Sequence, residues 1–149
     1  MSEQYQELTP LLSSALVFPV VAFAKDRSVN IAKDVAELTT CSHAALSGGY
    51  FDGLKVISVD GSHFVVKSAK KTGTIKHWWT SPIFLTLVSV DLELERVGTV
   101  TLEELKQMLL KAFKALRDIW EESIGYEEFA GEIEKCRTYR EVADYVSKF

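Results

Sequence analysis

The sequence predicts an α+β domain, with a mostly antiparallel sheet of about five strands, one early helix and a C-terminal group of helices packed on the sheet. Short β-branched and aromatic runs fill the first two thirds of the chain, whereas apolar residues at helical spacing dominate after residue 100. No strand pattern follows the longest helix. This order differs from the strand–helix alternation that is typical of parallel, nucleotide-binding sheets.

Length and composition fit one domain spanning residues 1–149, of which 1–14 form a flexible tail or a short helix. The chain is 47% hydrophobic and 26% charged, which excludes a disordered or fibrous protein. The longest apolar run, residues 15–24, is much shorter than the roughly 20 residues of a membrane helix. Because no Lys or Arg precedes this run, a signal peptide is disfavoured. We therefore expect a cytoplasmic protein with no membrane partner.

A β-hairpin is predicted first. Residues 16–24 and 28–33 have strand-like composition, and the chain turns between them at residues 25–27. Pro19 has no N–H to donate, which predicts an edge strand or a bulge near the start of the first strand.

A short helix and a second hairpin follow. Asp34 with Glu37 forms a capping arrangement for a helix of about 13 residues, which ends at the glycine pair of residues 48 and 49. Residues 54–59 and 63–68 then flank Asp60 and Gly61, a dipeptide typical of tight hairpin turns.

One long strand completes the predicted sheet. Residues 83–95 contain apolar and polar side chains in strict alternation from Val88 to Glu95, so one face of the strand packs and the other meets solvent or a partner.

Three helices are predicted at the end of the chain. Thr101 and Glu104 form a capping box that opens a helix running to Glu122, which would bury Leu105, Leu109, Phe113 and Leu116. Its apolar stripe has nine positions: Leu102, Leu105, Met108, Leu109, Ala112, Phe113, Leu116, Ile119 and Trp120. A shorter helix follows Gly125, and Thr138 with Glu141 caps the last one.

The residues that usually carry chemistry are scattered. His43, His63 and His77 lack the spacing of metal ligands, and Cys41 and Cys136 show neither zinc-site nor disulfide spacing. Cys41 and His43 stand two apart on a predicted helix, where they point in different directions. The common hydrolase and phosphate-loop motifs do not occur. We expect no metal, no cofactor and no disulfide requirement.

The predicted loop of residues 70–82 is unusual because it combines three lysines with His77, Trp78 and Trp79. Three interpretations stay open: one tryptophan in the core and one at the surface, an aromatic anchor for a protein partner at Trp79, or a stacking platform for single-stranded nucleic acid.

Acidic residues are concentrated in the second half of the chain. The net charge is −4, and the segment of residues 120–134 has six glutamates without a Lys or Arg. Such a run is usually a solvated face, but it could steer a basic partner. The leading candidate patch is Glu121, Glu122, Glu127 and Glu128, with Asp91, Glu93 and Glu95 in reserve. This charge disfavours general binding of nucleic acid.

Several segments together resemble small bacterial immunity proteins of polymorphic toxin and contact-dependent growth inhibition systems. They are residues 18–24, 37–41, 49–56, 60–61, 65–67 and 99–105, with Trp120. The resemblance implies a cytoplasmic, non-catalytic protein that binds and neutralises one cognate toxin domain, often a nuclease. The alternative is a domain that binds a small ligand or single-stranded nucleic acid through Trp78 and Trp79.

Overall fold

A computed structural model describes residues 16–75 and 87–149 and has an α+β architecture. A curled antiparallel sheet has the strand order β2-β1-β4-β5-β6-β3. Its strands are β1 (Val20–Phe23), β2 (Val29–Ala32), β3 (Thr40–Ser42), β4 (Lys55–Ser58), β5 (Ser62–Ile75) and β6 (Leu87–Thr99). The predicted fold class is confirmed, with six strands where about five were predicted. The predicted tail, residues 1–14, lies outside the described residues.

Six helices lie in the described part of the chain, two before the long strands and four after them. They are α1 (Val35–Thr39), α2 (His43–Ser47), α3 (Leu102–Ala115), α4 (Arg117–Trp120), α5 (Tyr126–Lys135) and α6 (Tyr139–Val146). Each helix in this part of the chain is too short or too polar to cross a bilayer.

The first hairpin forms as predicted, but β1 is not an edge strand. It pairs with β2 on one side and β4 on the other. Pro19 precedes the first residue of β1, so its missing N–H costs the ladder nothing. In the turn, the N–H groups of Arg27 and Ala24 donate to the carbonyls of Ala24 and Ser28, respectively. Arg27 has a φ of +76°, a left-handed conformation that costs a non-glycine residue about 1 kcal/mol.

The single early helix predicted from Asp34 is wrong, because β3 divides it into α1 and α2. The capping prediction is confirmed: the Glu37 N–H donates to the Asp34 carboxylate at 2.9 Å. Thr40 is extended at φ −115°, and its strand pairs with the start of β6. Ser42 then starts α2 by accepting from the Ala45 N–H at 3.0 Å. Residues 40–42 therefore pair with the edge of β6 as a strand, although the local sequence favours a helix.

The predicted hairpin between β4 and β5 forms around Asp60 and Gly61. Gly61 has a φ of +90°, and a Cβ there would lie 2.9 Å from the Tyr139 hydroxyl oxygen. That hydroxyl donates to the Val100 carbonyl at 2.6 Å. Glycine is required at this position both for the turn and for the close approach of α6.

The hairpin of β5 and β6 is longer than the sequence predicts. β5 continues seven residues past its predicted end at Ser68, so Lys70 to Ile75 are strand and not loop. β6 extends to Thr99 rather than Glu95, and residues 83–86 of its predicted range lie outside the described residues. The predicted alternation on β6 is confirmed: Val88, Val90, Leu92 and Leu94 are buried.

Each face of the sheet carries an apolar cluster. One apolar cluster contains the alternating residues of β6 together with Leu38 of α1 and residues of β1 and β4. The second cluster joins Val21, Phe23 and Ile57 of the sheet to the helices α3, α5 and α6. The predicted position of the C-terminal helices on the sheet is therefore confirmed.

The long C-terminal helix is shorter than predicted. Thr101 and Glu104 form the predicted capping box, but α3 ends at Ala115, and Leu116 leaves the helical region at φ −120° and ψ 42°. Leu105, Leu109 and Phe113 are buried as predicted, whereas Leu116 is only half-buried. The chain then bends into α4, which returns Trp120 to α3 and leaves Ile119 65% exposed.

A buried lysine joins two of these helices. Lys106 of α3 is 7% exposed, and its ammonium group donates to the Glu134 carbonyl at 3.1 Å. This carbonyl lies in the last turn of α5, where the helix dipole favours a positive charge. The contact joins the last turn of α5 to α3.

Candidate functional site

An aromatic cluster lies where α4 folds back on α3. The Trp120 ring centroid is 5.5 Å from that of Phe113, 5.2 Å from that of Phe129 and 6.2 Å from that of Phe149. Phe113 and Phe129 are fully buried, but Trp120 is half-buried and Phe149 is 46% exposed. The cluster therefore runs from the core to the surface, and exposed Ile119 lies next to Trp120 in the chain.

The four leading glutamates all lie beside this cluster. Glu121 and Glu122 directly follow Trp120. Glu127 and Glu128 are in the first turn of α5, beside Tyr126, whose ring is 5.3 Å from that of Phe113. All four are exposed. We call Trp120 and Phe149 with these four glutamates the aromatic–acidic surface.

The charge of this surface is only partly balanced. Glu121 forms an ion pair with Arg117 at 2.8 Å, one helical turn away. In the described part of the chain, Glu122, Glu127 and Glu128 form no ion pair. Lys114 and Arg117 contact the Tyr126 ring, with cation-to-centroid distances of 5.1 and 5.6 Å. Three of the four carboxylates are thus available to a partner.

The reserve patch on β6 faces a row of positive charge. Glu95 forms an ion pair with Lys67 at 3.2 Å, and Asp91 is paired in register with Lys70 of β5. Glu93 accepts from the Ser68 hydroxyl at 3.1 Å. Cross-strand lysines offset the acids, so the negative potential here is weaker than the β6 sequence indicates.

Trp120 and Phe149 were not predicted to lie together at the surface. The sequence predicts one uninterrupted helix with Trp120 in its apolar stripe, and the break at Leu116 has neither Gly nor Pro to indicate it. Trp79, the predicted aromatic anchor, lies outside the described residues with Trp78 and His77, and its role stays a prediction.

The described cysteines and histidines do not assemble a reactive site. Within residues 16–75 and 87–149, no three His, Cys, Asp or Glu side chains are grouped as metal ligands. Cys41 and Cys136 are half-buried free thiols, and burial raises the pKa of both. The His43 ring nitrogen lies 3.2 Å from the Ser47 hydroxyl, at the far end of α2 from Cys41.

The partly buried imidazole of His63 is expected to make stability depend on pH. Its Nε2 atom is buried without a hydrogen-bond partner among the described residues. Burial, with a smaller contribution from the positive charge of Lys55, lowers the pKa of His63 below the ordinary 6.5. The unfolded chain therefore takes up a proton more readily than the folded protein.

We expect the free energy of unfolding to fall as pH decreases below about 6.5, until the lowered pKa of His63 is reached. His63→Gln, which cannot titrate, should show a smaller loss between pH 7 and pH 5.5 in denaturant melts. Equal losses in the two proteins would contradict this assignment.

The comparisons with known proteins add no relative. No protein-family model matches the chain, and no match was found among the curated proteins or the solved structures.

Proposed function

We propose that the protein is a non-catalytic immunity protein of the cytoplasm that binds and neutralises a basic toxin domain through the aromatic–acidic surface. The observation that carries the proposal is the position of two aromatic side chains, half-buried Trp120 and exposed Phe149, next to three glutamates that have no ion-pair partner in the described part of the chain. The resemblance to immunity proteins of polymorphic toxin systems supports the same class of partner.

The charge of the surface favours a basic partner. A nuclease domain must present Lys and Arg to its phosphate substrate, and exposed carboxylates attract such a domain over a Debye length of about 8 Å at physiological salt. Electrostatic complementarity of this kind raises association rates more than it raises affinity. The glutamates thus accelerate the encounter.

The aromatic side chains have a different role. Interface residues that contribute most to affinity are enriched in tryptophan and are surrounded by polar groups that exclude water. Trp120 fits this description because its inner edge is held by Phe113 and Phe129. A side chain fixed in this way loses little conformational entropy on binding. It therefore slows dissociation of the complex.

The test first asks whether a toxin domain is encoded next to this chain, and then measures the binding of that domain over a salt series. Reversing two unpaired charges, Glu122→Lys with Glu127→Lys, should slow association about tenfold or more at low salt and less at high salt.

Truncating Phe149 to Ala should accelerate dissociation without opening the core, because the side chain is half exposed. Trp79→Ala, at the aromatic anchor that the sequence predicts, should act on dissociation at a cost of about 2 kcal/mol or more if this side chain is also in the interface.

A matched control changes the net charge equally at the reserve patch, with Asp91→Lys and Glu93→Lys. If the aromatic–acidic surface makes the contact, this variant should associate nearly as fast as the unchanged protein. If association were slower only in this control, the interface with the toxin domain would lie on β6 and not on the aromatic–acidic surface. If both double variants left the rates and the protection of cells unchanged, the acidic-surface mechanism would be wrong.

A further inference from the structure

A basic cleft lies on the helix-covered side of the sheet, between the β1–β2 turn, the start of β4 and α3. Its volume is about 390 Å³, within the range of small-ligand sites. Four of its lining residues are cationic: Lys25, Arg27, Lys55 and Lys111. This concentration of positive charge is unexpected in a chain with a net charge of −4.

The cations of the cleft are only weakly neutralised. The described residues that line it include no acid. Asp52 lies 3.5 Å from the Lys25 ammonium nitrogen, but both side chains are mostly exposed, so this pair is weak and easily displaced. The Asp26 carboxylate accepts from the Ser28 N–H at 2.9 Å and from its hydroxyl at 2.6 Å, and is thereby held within the turn.

The cleft also has an apolar wall. Phe23 and Ala112 are buried, and Met108 is half-buried. All three line the same space as the cations. A ligand that satisfies both parts of the cleft carries a negatively charged group and a compact apolar or aromatic group.

Arg27 has a left-handed backbone conformation that is unfavourable for arginine. Its φ of +76° is the conformation that glycine or asparagine adopts most readily in such turns. The strain places a guanidinium group at the cleft, and guanidinium is the side-chain group best suited to bind phosphate oxygens in pairs. An arginine in this strained conformation agrees with a binding role.

We propose that this cleft binds a small organic phosphate of nucleotide size, with the phosphates among Lys25, Arg27, Lys55 and Lys111 and the base against Phe23 and Met108. Phosphate oxygens form strong, charge-assisted hydrogen bonds with Lys and Arg. The net negative charge of the chain opposes a long polyanion, whereas a mononucleotide meets only the local field of the cleft. The site is separate from the aromatic–acidic surface.

The test is calorimetric titration of the full chain with ADP at constant salt, with pyrophosphate and adenosine as the two halves of the probe. We expect saturable binding of one ADP, weaker binding of pyrophosphate and the weakest binding of adenosine. Lys111→Gln should reduce ADP affinity about tenfold or more, because it removes one charged phosphate contact.

Arg27→Gly distinguishes binding from folding. Glycine accepts the left-handed turn, so the melting temperature without ligand should not fall, while ADP affinity should fall as in Lys111→Gln. Lys70→Gln is the matched control, since it removes one positive charge from β5 outside the cleft and should alter affinity by less than about twofold.

Three results would overturn the proposal. The first is the absence of saturable ADP binding. The second is an equal loss of affinity in Lys70→Gln and Lys111→Gln, which would indicate a general charge effect. The third is tight binding of a single-stranded oligonucleotide that ADP does not displace, which would identify the ligand as a nucleic acid.

Discussion

Phe113→Ala is expected to lower the free energy of unfolding by about 3–5 kcal/mol. The side chain is fully buried at the centre of the helix-side core. Its ring packs against those of Trp120, Tyr126 and Phe129, with centroids 4.9–5.5 Å away. Truncation would leave a cavity that three helices border and cannot easily close. Denaturant melts of the two proteins measure the difference.

Ile119→Ala is the matched control, because the sequence places Ile119 in the same apolar stripe as Phe113. The structure separates them at the bend after Ala115, and Ile119 is 65% exposed. Its truncation should change stability by no more than about 0.5 kcal/mol. A loss below 1 kcal/mol for Phe113→Ala, or a large loss for Ile119→Ala, would contradict the packing described for α3 and α4.

The features that the sequence predicted correctly depend on neighbours in the chain. The capping box of Thr101 and Glu104 forms within one turn of helix, and Asp60 with Gly61 closes a hairpin whose strands adjoin the turn. The alternation on β6 was predictable because a strand between two others on a covered sheet must bury one set of its side chains. These patterns contain the relevant partners within a few residues.

The features that were wrong depend on distant partners. Thr40 to Ser42 form a strand only because the start of β6, more than forty residues later, offers an edge to pair with. β1 lies inside the sheet because β4 pairs with its second edge. Pro19 is compatible with this position because it stands just before the strand. The local sequence pattern of a strand does not indicate which other strand will pair with it in the sheet.

The features of the candidate site also differ in whether they depend on chain neighbours or on distant partners. Exposed glutamates around α4 and α5 could be predicted, because carboxylates are seldom buried without a partner. The lysines opposite the β6 acids could not, since their proximity follows from the register of β5 against β6. Likewise, Trp120 reaches the surface beside Phe149 only because the chain bends at Leu116. The basic cleft combines side chains from three separate parts of the chain, and the sequence of each part alone does not indicate a binding site.

Leu92→Ala is expected to cost about 2–5 kcal/mol in the free energy of unfolding. Leu92 is 1% exposed and belongs to the first apolar cluster, which contains the alternating residues of β6 and lies on the face of the sheet away from α3. Its cross-strand neighbour on β5 is Ala69, a side chain too small to fill the space that Leu92 would vacate. The loss should therefore include a cavity contribution as well as the lost burial.

Val97→Ala, on the same strand, is the control for Leu92. Val97 is 49% exposed and belongs to neither core, so its truncation should cost no more than about 0.5 kcal/mol, mostly through lower strand propensity. Comparable losses at Leu92 and Phe113 would show that the sheet is stabilised from both faces. A loss below 1 kcal/mol at Leu92 would mean that the curl of the sheet does not enclose a packed core, and that the helix side alone holds the fold.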